Sequence, residues 1–312
     1  MISNDLKNTI IKTDFGEFDI DKLIEDSTKR IFVTGAKGQL GHDIMLELAK
    51  RNIDCVGVDI EEMDITDPEA VRSVIAEASP DAVIHCAAWT AVDAAEDNEE
   101  KCRQVNAYGT ENIAKVCREL MIPMMYFSTD YVFNGEGDRP WEPDDKAEPL
   151  NVYGQTKYEG EEAVRKYVPD RHFIVRIQWV YGKNGKNFVK TMLKLSETHD
   201  RLTVVDDQVG SPTYTPDIAR IAVDMILSDK YGTYHVANTG LCSWYEFAKE
   251  IFRLAGKDVE VVPVDSSQYP AKAKRPHNSR MDLSKLTEEG FTELPSWQDA
   301  LERYLEEINY MA

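Results

Sequence analysis

A short apolar strand that breaks into a glycine-rich turn and then a helix constrains this chain more than any other feature. Ile31-Phe32-Val33 leads into Thr34-Gly-Ala-Lys-Gly-Gln-Leu-Gly41, and residues 42–51 continue with apolar Ile44, Met45, Leu48 and Ala49 at helical spacing. The unit recurs. Cys55-Val56-Gly57-Val58 reads as a second strand and residues 68–78 as a helix, with Asp67 as its cap and Pro68 at its first position. Ala82-Val83-Ile84-His85 is a third strand, residues 106–120 a helix, and Met124-Met125-Tyr126-Phe127 a fourth strand. Strands alternating with helices at this spacing imply βαβ units and a parallel sheet. The strands are apolar throughout, as expected where helices cover both faces.

Proline and glycine cluster over residues 135–149, which reads as a loop. Residues 153–167 form a helical pattern and Phe173-Ile174-Val175 a further strand. Beyond Gly182 the alternation weakens. The expected architecture is α/β: a Rossmann-type doubly wound parallel sheet with a smaller C-terminal α/β substrate lobe. Residues 30–182 would form the dinucleotide-binding part, with some of 205–240 returning to it. Residues 183–204 and 241–312 would form the lobe. Residues 1–29 read as an extension of unassigned role, with a small hairpin near residues 10–20. Asp14-Phe15-Gly16 lacks the surroundings of a kinase motif and reads as chance.

Composition limits the partners. The 312 residues include 56 acidic and 36 basic side chains, a formal net charge of −20. Such a chain lacks the cationic surface that nucleic-acid binding needs, so no nucleic-acid partner is expected. No apolar run approaches the ~18 residues of a membrane span, so no membrane partner is expected either. The N-terminus lacks the basic-then-apolar build of a signal peptide, and a cytoplasmic location is expected. Five cysteines without a CxxC pair fit reduced thiols, and scattered histidines give no metal-ligand spacing, so no metal is expected.

The glycine turn has the pattern GxxGxxG. Between a strand and a helix inside a βαβ unit, it suits a pyrophosphate approached by backbone and met by the helix N-terminus. The alternative is a plain strand–helix turn. Asp59 ends the second strand, where a carboxylate usually takes ribose hydroxyls, which argues for NADH. Lys37 beside Gly38 could meet a 2′-phosphate, which argues for NADPH. The residues leave NADPH or NADH open.

Tyr153-Gly-Gln-Thr-Lys157 places a phenol and an ammonium at i and i+4 on one helix face. The ammonium favours phenolate and so makes the phenol a better acid at neutral pH. Upstream, Ser128-Thr129-Asp130 ends a strand, and a hydroxyl there can hydrogen-bond a substrate carbonyl oxygen. The set suits hydride transfer to a carbonyl, with Tyr153 giving the proton.

Taken together, these motifs resemble the extended short-chain dehydrogenase/reductase superfamily and, within it, the dTDP-4-dehydrorhamnose reductases. The resemblance runs from about residue 30 to the C-terminus. It rests on the glycine turn, Met63-Asp-Ile-Thr66, His85-Cys-Ala-Ala-Trp-Thr-Ala-Val-Asp93, Ser128-Thr-Asp-Tyr-Val-Phe133 and Asn151-Val-Tyr-Gly-Gln-Thr-Lys157. It continues through Trp179-Val-Tyr-Gly182, Asp207-Gln-Val-Gly-Ser-Pro-Thr213 and Arg275-Pro276. It implies reduction of the 4-keto group of dTDP-4-dehydro-L-rhamnose by NADPH or NADH. Tyr153 would be the proton donor, Lys157 would lower its pKa and hold the nicotinamide ribose, and Thr129 would position the keto oxygen. Gly35, Gln39, Leu40 and Gly41 would bind the pyrophosphate. Asp64 and Ile65 would lie by the adenine, and Ala87, Ala88 and Thr90 along the cofactor. Val92, Asp130, Tyr131 and Trp179 would flank the sugar, with Arg275 in the nucleotide-sugar region. Gln178 stands where the family commonly has a small residue. A homodimer is compatible with the family, whose magnesium-dependent dimers supply no ligand set that maps onto this chain.

Charge adds an independent signal. Residues 171–196 contain no acid but carry Arg171, Arg176, Lys183, Lys186, Lys190 and Lys194. Residues 266–281 contain no acid but carry Lys272, Lys274, Arg275 and Arg280. Each is either a solvated basic face or a receptor for an anionic substrate, the second more readily the latter because of Arg275-Pro276. Trp179, Trp244 and Trp297 read first as core or lid residues, and Cys86 as a small buried hydrophobe. Two other functions compete. A dehydratase or epimerase of the same superfamily shares the turn and the Tyr–Lys pair, but in dehydratases an Asp-Glu pair follows the threonine, whereas Tyr131 stands second here. A non-catalytic regulatory subunit similar to that of methionine adenosyltransferase shares the fold.

Overall fold

Five strands form where the sequence predicts them: β1 (Arg30–Thr34), β2 (Asp54–Val58), β3 (Ala82–His85), β4 (Met124–Thr129) and β5 (His172–Ile177). Three more, β6 (Arg201–Val205), β7 (Gly232–His235) and β8 (Glu260–Val264), form where it predicts none. In this computed structural model, which describes residues 10–13, 16–19 and 28–311, six of these strands make one parallel sheet in the order β7-β5-β4-β3-β1-β2. The chain enters at β1, runs out to β2 and crosses back to β3. The doubly wound reading therefore holds. The order reverses between the C-terminal ends of β1 and β3, the crevice where such sheets bind ligands.

Alternation along β1 sends its side chains to two cores. On one face Ile31 and Val33 meet Ile44 and Leu48 of α1 (Gln39–Lys50) and, later in the chain, Ile218 and Ile221 of the helix Thr215–Ile226. On the other, Phe32 meets Val71 and Ile75 of α2 (Pro68–Ala78) and Ile113 and Cys117 of α4 (Thr110–Leu120), a numbering that leaves α3 for Val92–Asp97. Burying each such side chain stabilises by about 1.5–3 kcal/mol. Asp67 caps α2 through the Glu69 and Ala70 amides, with Pro68 at the first position, as its sequence requires.

The helix expected over 106–120 departs from the prediction. Residues Gln104–Gly109 wind as a π-helix before α4 begins. Asn106 explains the wider turn. Its buried side chain accepts from the Trp89 amide (2.8 Å) and donates to the Trp89 carbonyl (3.1 Å), while its own carbonyl accepts from the Thr110 hydroxyl (2.7 Å). A polar clamp onto another segment outweighs regular helix geometry, and π-turns recur at functional sites for that reason.

The remaining labelled helices are α5 (Val152–Tyr167), α6 (Phe188–Leu195), α7 (Thr215–Ile226), α8 (Trp244–Leu254) and α9 (Trp297–Glu307). A separate apolar cluster gathers Val189 and Leu193 of α6, Phe247 and Ile251 of α8, and Leu301 and Tyr304 of α9. Beside it β6 and β8 pair in parallel. Helix α7 packs on the main-sheet core and strand β7 pairs with β5 at its edge. Leu286 and Leu294 also join the main-sheet core, so residues 241–312 divide between the two clusters. Near the N-terminus, Ile10–Thr13 pairs antiparallel with Gly16–Asp19, which gives the expected hairpin. Asp14 and Phe15, with the rest of residues 1–27, lie outside the described residues. No helix of the described residues is long and apolar enough to cross a membrane.

Candidate active site

The glycine turn lies at the reversal point of the sheet. The Gly35 carbonyl accepts from the Gly38 amide (3.0 Å), which closes the turn. A Cβ on Gly41 would stand 2.1 Å from the Gly35 oxygen, so only glycine lets α1 start this close to the turn. Gly38 is the N-cap of α1 in extended conformation, yet no side chain caps the helix and no acid occupies its first turn. The N-terminal amides, those of Gln39, Leu40 and Gly41, are thus left for an anion.

At the outer end of the turn, the Lys37 amide donates to Asp59 Oδ2 (3.1 Å), and the Lys37 ammonium pairs with Glu61 (2.5 Å) and Glu62 (2.8 Å). The two signals left open by sequence are therefore in contact, joined by two further acids. Asp64 is exposed and accepts from the Thr66 amide and hydroxyl, while Ile65 is buried in the core.

Ala87, Ala88 and Thr90 follow β3. The Ala87 amide donates to the Thr34 hydroxyl (3.2 Å), and Asn106 fixes Trp89 between Ala88 and Thr90. His85 bridges the Thr34 hydroxyl (2.7 Å) and the Thr110 hydroxyl (3.1 Å). Burial, with the Lys157 charge nearby, pushes its pKa down to about 3, so it serves as a neutral cross-link.

Thr129 ends β4 and Tyr153 begins α5. Asn151 caps α5 through the Gly154 amide (2.8 Å). A Cβ on Gly154 would fall 2.2 Å from the Tyr131 carbonyl oxygen, so glycine lets the helix start pack against the strand end. The Tyr131 and Tyr153 rings meet edge-on at 5.5 Å. Burial pushes the Tyr153 phenol well above its ordinary range, and a hydrogen bond with Thr129 works the other way. Tyr153 is therefore a protonated acid at neutral pH. Lys157, 3% exposed, is pushed down to about 7 by burial, against the attraction of Glu161. Among the described residues no carboxylate forms an ion pair with it. A buried ammonium in this position suits the ribose hydroxyls of a dinucleotide, and the uncapped α1 suits its pyrophosphate.

Asp130 faces inward. Its two oxygens accept from the Thr129 hydroxyl (3.1 Å) and the Ser279 hydroxyl (2.6 Å), and burial raises its pKa to about 6 against both bonds. It supports Thr129 from below. Ser279, 149 residues away, carries no sequence signal for this role.

A cavity of about 960 Å³ opens beside these residues. Of the expected sugar contacts, Tyr131 and Arg275 line it; Val92, Asp130 and Trp179 do not. Trp179, at φ +47°, instead stacks at 3.7 Å on Trp244, which lines the cavity with Phe188. Arg201, Lys274 and His277 add basic groups to the lining, and Asp207 and Asp265 add acidic ones. Arg201 was missed in sequence because it belongs to no local pattern, and His277 because the 266–281 run was read for its lysines and arginines alone. The basic run over 171–196 contributes none of its charges to the lining. Arg176 is buried on Glu161, Arg171 donates to the Met121 carbonyl, and Lys190 to carbonyls of its own loop. From 266–281, Lys274 and Arg275 do reach the cavity.

Comparison with known proteins identifies the family. The family model described as the RmlD substrate binding domain matches residues 29–310. A dTDP-4-dehydrorhamnose reductase of Streptomyces griseus is 41% identical over 278 residues, 87% of this chain and 91% of that protein. The spore coat polysaccharide biosynthesis protein SpsK of Bacillus subtilis is 40% identical over 89% of this chain and 97% of its own. The crystal structure of a dTDP-4-dehydrorhamnose reductase from Bacillus anthracis in complex with NADP superposes with a TM-score of 0.87. It is 42% identical and covers 89% of this chain and 99% of that one.

Proposed function

The chain belongs to the dTDP-4-dehydrorhamnose reductase family, and from that premise we propose how its residues carry out the reaction. The chain is an oxidoreductase that reduces the 4-keto group of a dTDP-linked sugar, here dTDP-4-dehydro-L-rhamnose, with NADPH or NADH. The nicotinamide supplies the hydride to the keto carbon. Tyr153 delivers the proton to the keto oxygen, Thr129 turns its one hydroxyl hydrogen from Asp130 onto that oxygen, and Lys157 favours the phenolate left behind. The turn from Gly35 through Gly38 to Gly41, with the amides of Gln39 and Leu40, takes the pyrophosphate. Asp59, Lys37, Asp64 and Ile65 border the adenosine, and Ala87, Ala88 and Thr90 line the middle of the cofactor. Tyr131 and Arg275 take the substrate in the cavity. Trp179 acts through Trp244, on which it stacks, and Val92 flanks the sugar from the start of α3. The whole protein works as a soluble cytoplasmic enzyme, as a monomer or homodimer.

One observation carries the reading: the Tyr153 phenol, the strand-end Thr129 hydroxyl and the buried Lys157, which has no ion-pair partner among the described residues, lie together beside a cavity that Tyr131 and Arg275 line. Asp130, turned inward onto Ser279, with Tyr131 beside it, leaves no acid pair for elimination. The test follows absorbance at 340 nm with each cofactor and dTDP-4-dehydro-L-rhamnose made in situ. Sugar-dependent oxidation establishes the activity. Folded protein that binds cofactor but oxidises neither form would move the assignment to another nucleotide sugar or to a binding subunit.

A further inference from the structure

Asp93, on α3, holds Arg275 end-on. Its Oδ1 accepts from Nη1 (3.0 Å) and its Oδ2 from Nη2 (2.7 Å). The other Nη1 hydrogen reaches the Ala273 carbonyl (3.3 Å). A guanidinium has five N–H groups in a fixed plane. The side edge, Nε–H with the second Nη2–H, has no partner among the described residues. Arg275 is half-buried in the cavity wall.

The same segment is fastened on two sides. The Ala273 amide donates to Asp93 (3.1 Å), and Lys272 pairs with Asp97 of the same helix. The Lys274 carbonyl accepts from Asn151 (2.8 Å), the residue that caps α5 two positions before Tyr153. Arg275 is thereby held at a set distance from the proton donor.

We infer that Asp93 is a positioning residue for the substrate's diphosphate: by occupying one fork of Arg275 it fixes the guanidinium so that the Nε/Nη2 edge receives the anion bidentately. The inference rests on the nucleotide-sugar reading above. An arginine anchored in this way loses little freedom when the anion arrives, and a bidentate, charge-assisted contact rewards that preorganisation. Charge alone predicts the opposite sign. A carboxylate near a diphosphate repels it, so an Asp93 that merely competed for Arg275 would weaken substrate binding in the wild type.

Titration calorimetry of the full chain with thymidine diphosphate separates the two. Asp93→Asn, which keeps the shape and removes the charge, is expected to bind about ten-fold more weakly, with the NADPH or NADH affinity unchanged. Asp93→Glu, which keeps the charge and displaces the fork, should weaken binding as well. Arg275→Lys should match Asp93→Asn, and the double variant should be no weaker than either single one, because the two act through one contact. In turnover, KM for the sugar nucleotide should rise more than kcat falls. Equal or tighter binding of thymidine diphosphate by Asp93→Asn overturns the inference, as does an equal loss of cofactor affinity. A wild-type chain that binds cofactor but no thymidine diphosphate overturns the nucleotide-sugar reading and this inference with it.

Discussion

The Lys157 ammonium sits 4.1 Å above the centroid of the Tyr126 ring, almost fully buried, while the Tyr126 hydroxyl donates to the Lys157 carbonyl (3.1 Å). The ring face gives partial compensation for lost water, and no more. Burial pushes the ammonium down to about 7. Below that pH both folded and unfolded chains carry the charge, and the full burial cost is felt. Between about 7 and 10.5 the unfolded chain binds more protons, so stability rises with pH. Lys157→Met should therefore stabilise the cofactor-free protein at pH 6, by about 1–2 kcal/mol, with the gain shrinking toward pH 10. The same variant should lose turnover. Urea unfolding at the two pH values, without cofactor, measures the difference.

Tyr153→Phe removes the acid and its hydrogen bond with Thr129. The Tyr131 edge contact is with the ring and survives. The kcat should fall by about 10²–10⁴, while the melting temperature and the cofactor dissociation constant stay near wild type. Single-turnover rates, with cofactor affinity followed by nucleotide fluorescence, check both halves. A variant turning over near wild type would remove Tyr153 as the proton donor.

Much of this site was legible in sequence because its parts are local. The strand–turn–helix around Gly35–Gly41, the i, i+4 spacing of Tyr153 and Lys157, and the apolar strands each lie within one element, where periodicity is informative. The long-range partners were not. Ser279 supports Asp130 across 149 residues, and Asp93 holds Arg275 across 182. A serine or an aspartate has no pattern that announces such a contact. The π-turn at Gln104–Gly109 was hidden because Asn106 binds Trp89, a tertiary demand that helix propensity does not register. Arg176 shows the converse error. It belongs to an acid-free run that suggested an open basic face, yet its guanidinium is 2% exposed.

Arg176 gives a stability prediction. Its Nε and Nη2 donate to the two oxygens of Glu161 at 2.8 Å each, and both residues are buried. Burial alone would raise the Glu161 carboxyl, but the hydrogen bonds and charge of Arg176 outweigh it and hold the pKa below the ordinary value. That stability is present above the ordinary glutamate range and is lost as pH falls through the folded pKa. Glu161→Gln would face the guanidinium with an N–H₂ and leave a buried cation unpaired. The expected loss is on the order of 3–5 kcal/mol. A double replacement, Glu161→Leu with Arg176→Met, should recover most of it. Denaturant midpoints of the three proteins test this.

Cofactor choice should depend on the acids around Lys37. Its ammonium is held by Glu61 and Glu62, and its amide by Asp59. Three carboxylates against one ammonium leave that corner negative where a 2′-phosphate would lie, so NADH is expected to serve at least as well as NADPH. Replacing both acids, Glu61→Gln with Glu62→Gln, leaves the ammonium without its present partners and removes two negative charges. The ratio of kcat/KM for NADPH over NADH should then rise by roughly ten-fold at low ionic strength, and less in 0.5 M salt, since exposed charges are screened. Parallel rates at 340 nm with the two cofactors, at two salt concentrations, give the ratio directly. The kcat at saturating NADH should hardly change, because these acids lie at the adenosine end, away from Tyr153. An unchanged ratio would show that the Lys37 cluster does not read the 2′ position.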